Sequence, residues 1–167
     1  MRFPGLNSNE HLINTKKIVN ASLIASIYCV LTIVFAPISY GAVQIRIAEA
    51  LTLLPYLWVE AIPGLFIGCL LSNILGGFGM IDIVFGSIAT LIAAIWTRKM
   101  PNLALAGLPP VLVNIVIVGT YLSRILDMPF LLVAIYIGIG QLIACYGLGV
   151  PLVYLIRRHS FKKGMGS

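Results

Sequence analysis

The chain has 167 residues, of which 60% are hydrophobic and only 10% charged, and its mean hydropathy is +1.04. A soluble domain carries roughly 25% charged residues, so the composition excludes a water-covered globule and describes an integral membrane protein. The net charge of +6 does not point to nucleic acid, because the cations flank apolar runs rather than forming a basic face.

Residues 1–16, MRFPGLNSNEHLINTK, are polar and mixed, and are expected to form a cytoplasmic N-terminal segment. About 20 apolar residues cross the hydrocarbon as a helix. Six candidate spans follow, at 17–36, 42–58, 61–77, 80–97, 103–123 and 129–156. The first is expected to be a retained helix and not a cleaved signal peptide, since five further apolar segments succeed it and no convincing cleavage site does. The second and third are short, and Pro55 and Pro63 bracket the tight junction PYLWVEAIPG between them. The sixth is long enough to tilt or to project beyond the bilayer. No long polar stretch or internal repeat interrupts the series. The expectation is an all-α integral membrane protein with one six-helix transmembrane domain over 17–158 and a cytoplasmic basic tail over 159–167.

Charge sets the orientation. Arg2, Lys16, Lys17, Arg98, Lys99, Arg157, Arg158, Lys162 and Lys163 fall on one side of a six-span arrangement, leaving Arg46 and Arg124 on the other. Positive residues mark the cytoplasmic face, so both termini are expected inside, in a multi-pass protein of the plasma membrane. Trp58, Trp96 and Tyr154 then lie at inner ends and Tyr40 and Tyr121 at outer ends, as an interfacial aromatic belt would.

With that topology the polar residues of the spans gather in the outer half. Gln44, Arg46 and Glu49 open span two; Asn73 ends span three and Asp82 begins span four. Asn114 lies in span five, and Tyr136 and Gln141 in span six. A charge at the centre of a helix costs about 2.5–3.5 kcal/mol, so each asks for a reason. Arg46 and Glu49, three apart on a helix, share a face and can neutralise one another. Asn114 and Gln141 suit interhelical hydrogen bonds, and Asp82 suits a helix N-cap. Such uses need no concentration of both signs at one depth, whereas a pocket for a polar ligand does. Glu49, Asp82, Asn114 and Gln141 are therefore the expected ligand contacts, with Arg46 orienting Glu49.

Ala21 and Ala25 form a small-residue stripe on the first helix, with Cys29 continuing the row and Ser22 and Ser26 beside it. This row suits close approach of another helix, from the same chain or from a partner. Arg124 and Asp127 read as a surface pair. Cys29, Cys69 and Cys145 lie apart in apolar runs and read as small hydrophobes, not metal or redox groups. His11 and His159 flank no ligand pattern. No nucleophile–base set, metal set or phosphate-binding glycine loop occurs, so the chain is not expected to be an enzyme, to carry a cofactor or to hydrolyse ATP.

The stretches PISYGAVQIRIAEALTLLP (37–55), GLFIGCLLSNILGGFGMIDIVFGSIATLIAA (64–94), LPPVLVNIVIVG (108–119) and YIGIGQLIACYGLGVPL (136–152) resemble the queuosine-precursor transporter family. Members are substrate-binding S components of energy-coupling-factor (ECF) transporters. The resemblance covers residues 17–158 and implies six transmembrane helices around an outward-opening pocket. It implies partners too: a transmembrane coupling subunit and two cytoplasmic ATPase subunits, which use the ATP. The stripe at Ala21 and Ala25 resembles the motif by which S components meet the coupling subunit. The implied ligand is a 7-deazaguanine, most plausibly the 7-aminomethyl form. Glu49 and Asp82 are acids suited to its donors, and Tyr40, Phe85 and Tyr136 are aromatics suited to stacking on it. An S component for another small heterocycle and a stand-alone carrier or channel are the rival readings.

Overall fold

The structure, a computed structural model, describes residues 8–39, 46–76 and 79–164, and among these every regular element is helical. Helix α1 (Ser8–Val34) is followed by the short α2 (Ala36–Ser39), a 3-10 helix (Ile47–Tyr56) and α3 (Ala61–Gly76). A π turn (Asp82–Gly86) runs into α4 (Ser87–Arg98), and the short α5 (Leu103–Ala106) leads to α6 (Leu108–Ile125). Finally α7 (Phe130–Leu142) continues through a π stretch (Ile143–Gly149) into α8 (Val150–Gly164). The all-α expectation holds, and each apolar run of the sequence carries helix. Three stretches, Asn14–Val34, Leu103–Ile125 and Phe130–His159, are long and apolar enough to cross a membrane, while Ile47–Tyr56 and Ala61–Gly76 are shorter apolar helices.

The molecule is apolar on its outside. Val34, Leu75, Met80, Val116 and Leu131 are all more than half exposed, as suits contact with lipid but not with water. Inside, one apolar cluster gathers Tyr28, Leu53, Leu65, Cys145 and Val153, and a second gathers Ala93, Val113, Leu122, Val133 and Ile137.

Without a hydrophobic drive between helices in lipid, small residues and close backbone contact decide which helices meet. The α1–α3 contact illustrates this. A Cβ placed on Gly64 would lie 2.6 Å from the Ala21 carbonyl oxygen, and one on Gly68 would lie 2.8 Å from that of Ala25. The GxxxG of α3 thus meets the small stripe of α1, burying Ala25 and half-burying Ala21, while Ser22 stays exposed. A groove of about 460 Å³ remains open beside this seam, lined by Lys17, Ala21, Ser22, Ala25, Pro63 and Ile67 among others.

Span two departs from the α-helix expected over 42–58. Its described part winds as a 3-10 helix of 10 residues, although such runs seldom exceed 3–4 residues. The tighter winding has a use: at about 2.0 Å per residue it stretches over about 20 Å, against about 15 Å for an α-helix of the same length. Three contacts hold it. Arg98 Nη1 donates to the carbonyls of Pro55 at 3.3 Å and Tyr56 at 3.2 Å. The Arg157 guanidinium lies 6.0 Å from the centre of the Tyr56 ring, a cation–π distance. Gly149 lets the π stretch lie backbone to backbone with the 3-10 helix, since a Cβ there would sit 2.8 Å from the Ala50 carbonyl oxygen.

Prolines are handled locally. Pro110 has no N–H to give the Ala106 carbonyl, and the Thr97 hydroxyl donates to that oxygen at 3.2 Å instead. Asn102 caps α5 by accepting from Leu105 N at 2.8 Å.

Candidate ligand-binding site

The irregular segments frame one buried polar centre. Arg46 stands just before the 3-10 helix with extended backbone (φ −83°, ψ 100°). Its Nη2 forms an ion pair with Asp82 Oδ2 at 3.4 Å, both side chains being buried. The other Asp82 oxygen accepts from the Tyr121 hydroxyl, and the Asp82 carbonyl accepts from Asn73 Nδ2 at 3.1 Å. Gly86 makes room for this knot, because a Cβ would meet Asn73 Nδ2 at 2.8 Å, Asp82 Oδ1 at 3.0 Å and the Tyr121 hydroxyl at 3.3 Å. Cys69 lies beneath, its sulfur accepting from the Thr90 hydroxyl at 3.2 Å and Asn73 Nδ2 at 3.5 Å, with Arg46 Nη1 at 3.9 Å.

Glu49 occupies the first turn of the 3-10 helix and is 1% exposed. Its Oε1 accepts from the Tyr28 hydroxyl at 2.5 Å, while its Oε2 is buried with no protein donor. Asn73 Oδ1 and Ser87 Oγ are buried and unpartnered in the same way. The Glu49 carbonyl accepts from Thr52 Oγ1 at 2.5 Å and from Cys145 Sγ at 3.7 Å, and that thiol also reaches Gln141 Oε1 at 3.7 Å. Buried acceptors are nearly always satisfied in native proteins, and one left alone costs about 1–3 kcal/mol. Glu49 Oε2 and Asn73 Oδ1, both on residues of the centre, are what a ligand with hydrogen-bond donors would complete.

The expected contacts fare differently. Glu49 and Asp82 belong to the centre, and Gln141 joins it through Cys145. Arg46 belongs too, but it pairs with Asp82, not Glu49. The correction has a simple cause: Arg46 precedes the helix on extended backbone, so the shared-face argument for residues three apart does not apply to it. Asp82 is not a helix N-cap either, as its carboxylate turns to Arg46 and Tyr121. Asn114 donates to the Pro110 carbonyl of its own helix at 2.9 Å, and Tyr136 is half-buried on α7; neither bonds to the centre. Tyr40 and Gln44 lie outside the described residues. Phe85 is half-exposed and packs against Tyr121, ring centres 6.5 Å apart.

Tyr121, expected in the interfacial belt, is only 8% exposed and holds Asp82. Arg124 and Asp127 form no ion pair; among the described residues Arg46–Asp82 is the one present. Sequence reasoning missed Tyr28, Cys69 and Thr90. Tyr28 had a signal: it lies 12 residues beyond Lys16 on a helix, about 18 Å deep, too far in for a belt tyrosine. Asp82, Gly86 and Thr90 also had one, recurring every fourth residue as a polar and small row facing α3.

With this geometry in place, comparison with known proteins is decisive about kinship. Residues 18–158 match the sequence family described as QueT transporter. The chain belongs to the QueT transporter family. The match takes in nearly the whole expected transmembrane domain, and with it every residue of the polar centre. A relative named Queuosine precursor transporter QueT, from Lactococcus lactis subsp. cremoris (strain MG1363), is 34% identical to this QueT-family chain over 80 residues. That alignment spans about half of each protein, 47% of the chain and 47% of the relative. No solved structure matches the QueT-family chain.

Proposed function

We propose that this QueT-family chain is the substrate-binding S component of an ECF-type, ATP-driven importer of a queuosine precursor. In this reading the chain crosses the plasma membrane six times with both termini in the cytoplasm. It binds a 7-deazaguanine, in its 7-aminomethyl form, from outside. A transmembrane coupling subunit and two ATPase subunits then drive its release inward.

The observation that carries the reading is the Glu49 carboxylate, buried with one oxygen held by Tyr28 and the other without a donor. A guanine-like edge presents adjacent N–H donors beside a carbonyl acceptor, and an aminomethyl group adds a cation. A half-satisfied carboxylate is complementary to the first or the last of these. Ligand donors that reach Glu49 Oε2 and Asn73 Oδ1 remove the penalty those unpartnered atoms carry, so fit gives selectivity as well as affinity.

Calorimetry on the purified chain with 7-aminomethyl-7-deazaguanine, and guanine as the control, tests this directly. Glu49→Gln keeps the acceptor for Tyr28 but loses the charge, and weakens binding by more than about tenfold, or about 1.4 kcal/mol. Unchanged affinity in a folded Glu49→Gln protein removes that residue from the site. No heat with any deazapurine removes the ligand class, and uptake into liposomes lacking ATPase partners favours the stand-alone carrier.

The groove beside the α1–α3 seam is where the coupling subunit is proposed to dock. Bulk at Ala25 would pry α1 from α3, so Ser22, exposed on the same groove, is the informative position. Ser22→Trp is expected to abolish co-purification with the coupling subunit while deazaguanine binding stays within about twofold, an energy near 0.4 kcal/mol. Normal assembly of Ser22→Trp places the partner elsewhere.

A further inference from the structure

A groove of about 720 Å³ runs between the π turn with α4 on one side and α6 on the other. Its walls include Ile81, Phe85, Ile88, Val116, Tyr121 and Arg124. The four apolar members are each at least two-fifths exposed. Thr120 also lines it, but its hydroxyl is spent on the Val116 carbonyl at 2.5 Å. From Val116 to Arg124 is eight helical residues, about 12 Å. The groove is therefore a hydrocarbon trough with a guanidinium at one end.

That guanidinium is exposed in the last turn of α6 and makes no ion pair among the described residues. Asp127, the nearest acid in sequence, sits with φ 51° in the turn that follows and does not neutralise it. We propose that this groove seats an anionic phospholipid, with an acyl chain along the trough and the phosphate on Arg124. Charge complementarity selects the occupant. A lipid of zero net charge would fill the trough but bring a phosphate already neutralised by its own head group, and a soluble anion would match the cation and leave the trough empty. Arginine's planar fork suits phosphate oxygens in two-point contact.

The seat is coupled to the polar centre through one side chain. Tyr121 lines the groove and donates its hydroxyl to Asp82, with Phe85 packed against it. A lipid in the groove supports the wall that holds the Asp82–Arg46 pair, so occupancy raises the thermal stability of the chain. The inference does not depend on which ligand the polar centre binds.

The test uses the full chain in a neutral detergent, titrated with phosphatidylglycerol or phosphatidylcholine, and followed by thermal unfolding and native mass spectrometry. Phosphatidylglycerol is expected to half-saturate at a concentration about fivefold lower than phosphatidylcholine, the worth of one interfacial cation. Arg124→Gln should erase that preference without changing the response to phosphatidylcholine, Arg124→Lys should keep part of it, and Val116→Trp should weaken both lipids by filling the trough. Equal affinity of the wild-type chain for the two lipids overturns the proposal, as does a preference that survives Arg124→Gln. Glycerol phosphate protecting as well as the lipid does would reduce the groove to an anion contact and also overturn it.

Discussion

Asp82→Ala is expected to destabilise the chain by about 3–5 kcal/mol, the cost of removing one partner from a buried ion pair. Two losses add here. The Arg46 guanidinium, 6% exposed, loses its counter-charge, and the Tyr121 hydroxyl loses the oxygen it donates to. Asp82→Asn keeps an acceptor for Tyr121 and forfeits only the charge, so its melting temperature in detergent should fall between those of the alanine variant and wild type. The double variant Arg46→Leu with Asp82→Leu separates stability from function. Replacing a buried pair with apolar groups of similar volume is often neutral or stabilising, so this protein should melt well above Asp82→Ala, short of wild type only by the Tyr121 hydroxyl left without its acceptor, while binding deazaguanine far more weakly. An Asp82→Ala protein that melts like wild type would mean the pair is solvated, and the polar centre would then be no dry pocket.

How much of this was legible in the sequence depends on the kind of signal. The helical class and the run boundaries were, because hydropathy is a local sum and each apolar run folds as helix. That Arg46, Glu49 and Asp82 belong together was legible from depth, since segments entering from one face bring their first turns to the same level; Gln141, near the far end of α7, joins only through Cys145. Their partners were not. Arg46 and Glu49 are three apart, and only the extended backbone at Arg46, invisible in an alanine- and leucine-rich stretch with good helix propensity, sends them to different partners. Asn114 shows the opposite failure. Its depth fitted the site, but a helical asparagine can bond the carbonyl four residues back, and here it does. The 3-10 and π segments were unreadable for a related reason. Tertiary contacts such as Gly149 against Ala50 stabilise them, and no local propensity encodes such a contact.

The second large effect comes from a glycine that bonds to nothing. Gly68→Ala adds one carbon, yet that carbon would lie 2.8 Å from the Ala25 carbonyl oxygen and 2.9 Å from Tyr28 Cβ. Neither obstacle is the far end of a flexible side chain, so no rotamer change relieves the clash and α1 must move off α3. Overpacking of this kind costs about 1–3 kcal/mol. Here it carries a further consequence, because Tyr28 is the donor to Glu49 at 2.5 Å. A shift of α1 by half an ångström or more, the order needed to relieve such a contact, stretches that hydrogen bond to about 3.0 Å or beyond, the long end of the O–H···O range, and weakens it. Gly68→Ala is therefore expected to lower the melting temperature and to weaken ligand binding together. Gly147→Ala is the control, since the same added carbon meets nothing within 4 Å. It should be neutral, or stabilising by up to about 1 kcal/mol through helix propensity, with affinity unchanged. Were the two alanine variants to melt alike, the close approach of α1 and α3 would be wrong, and the position of Tyr28 over Glu49 would fall with it.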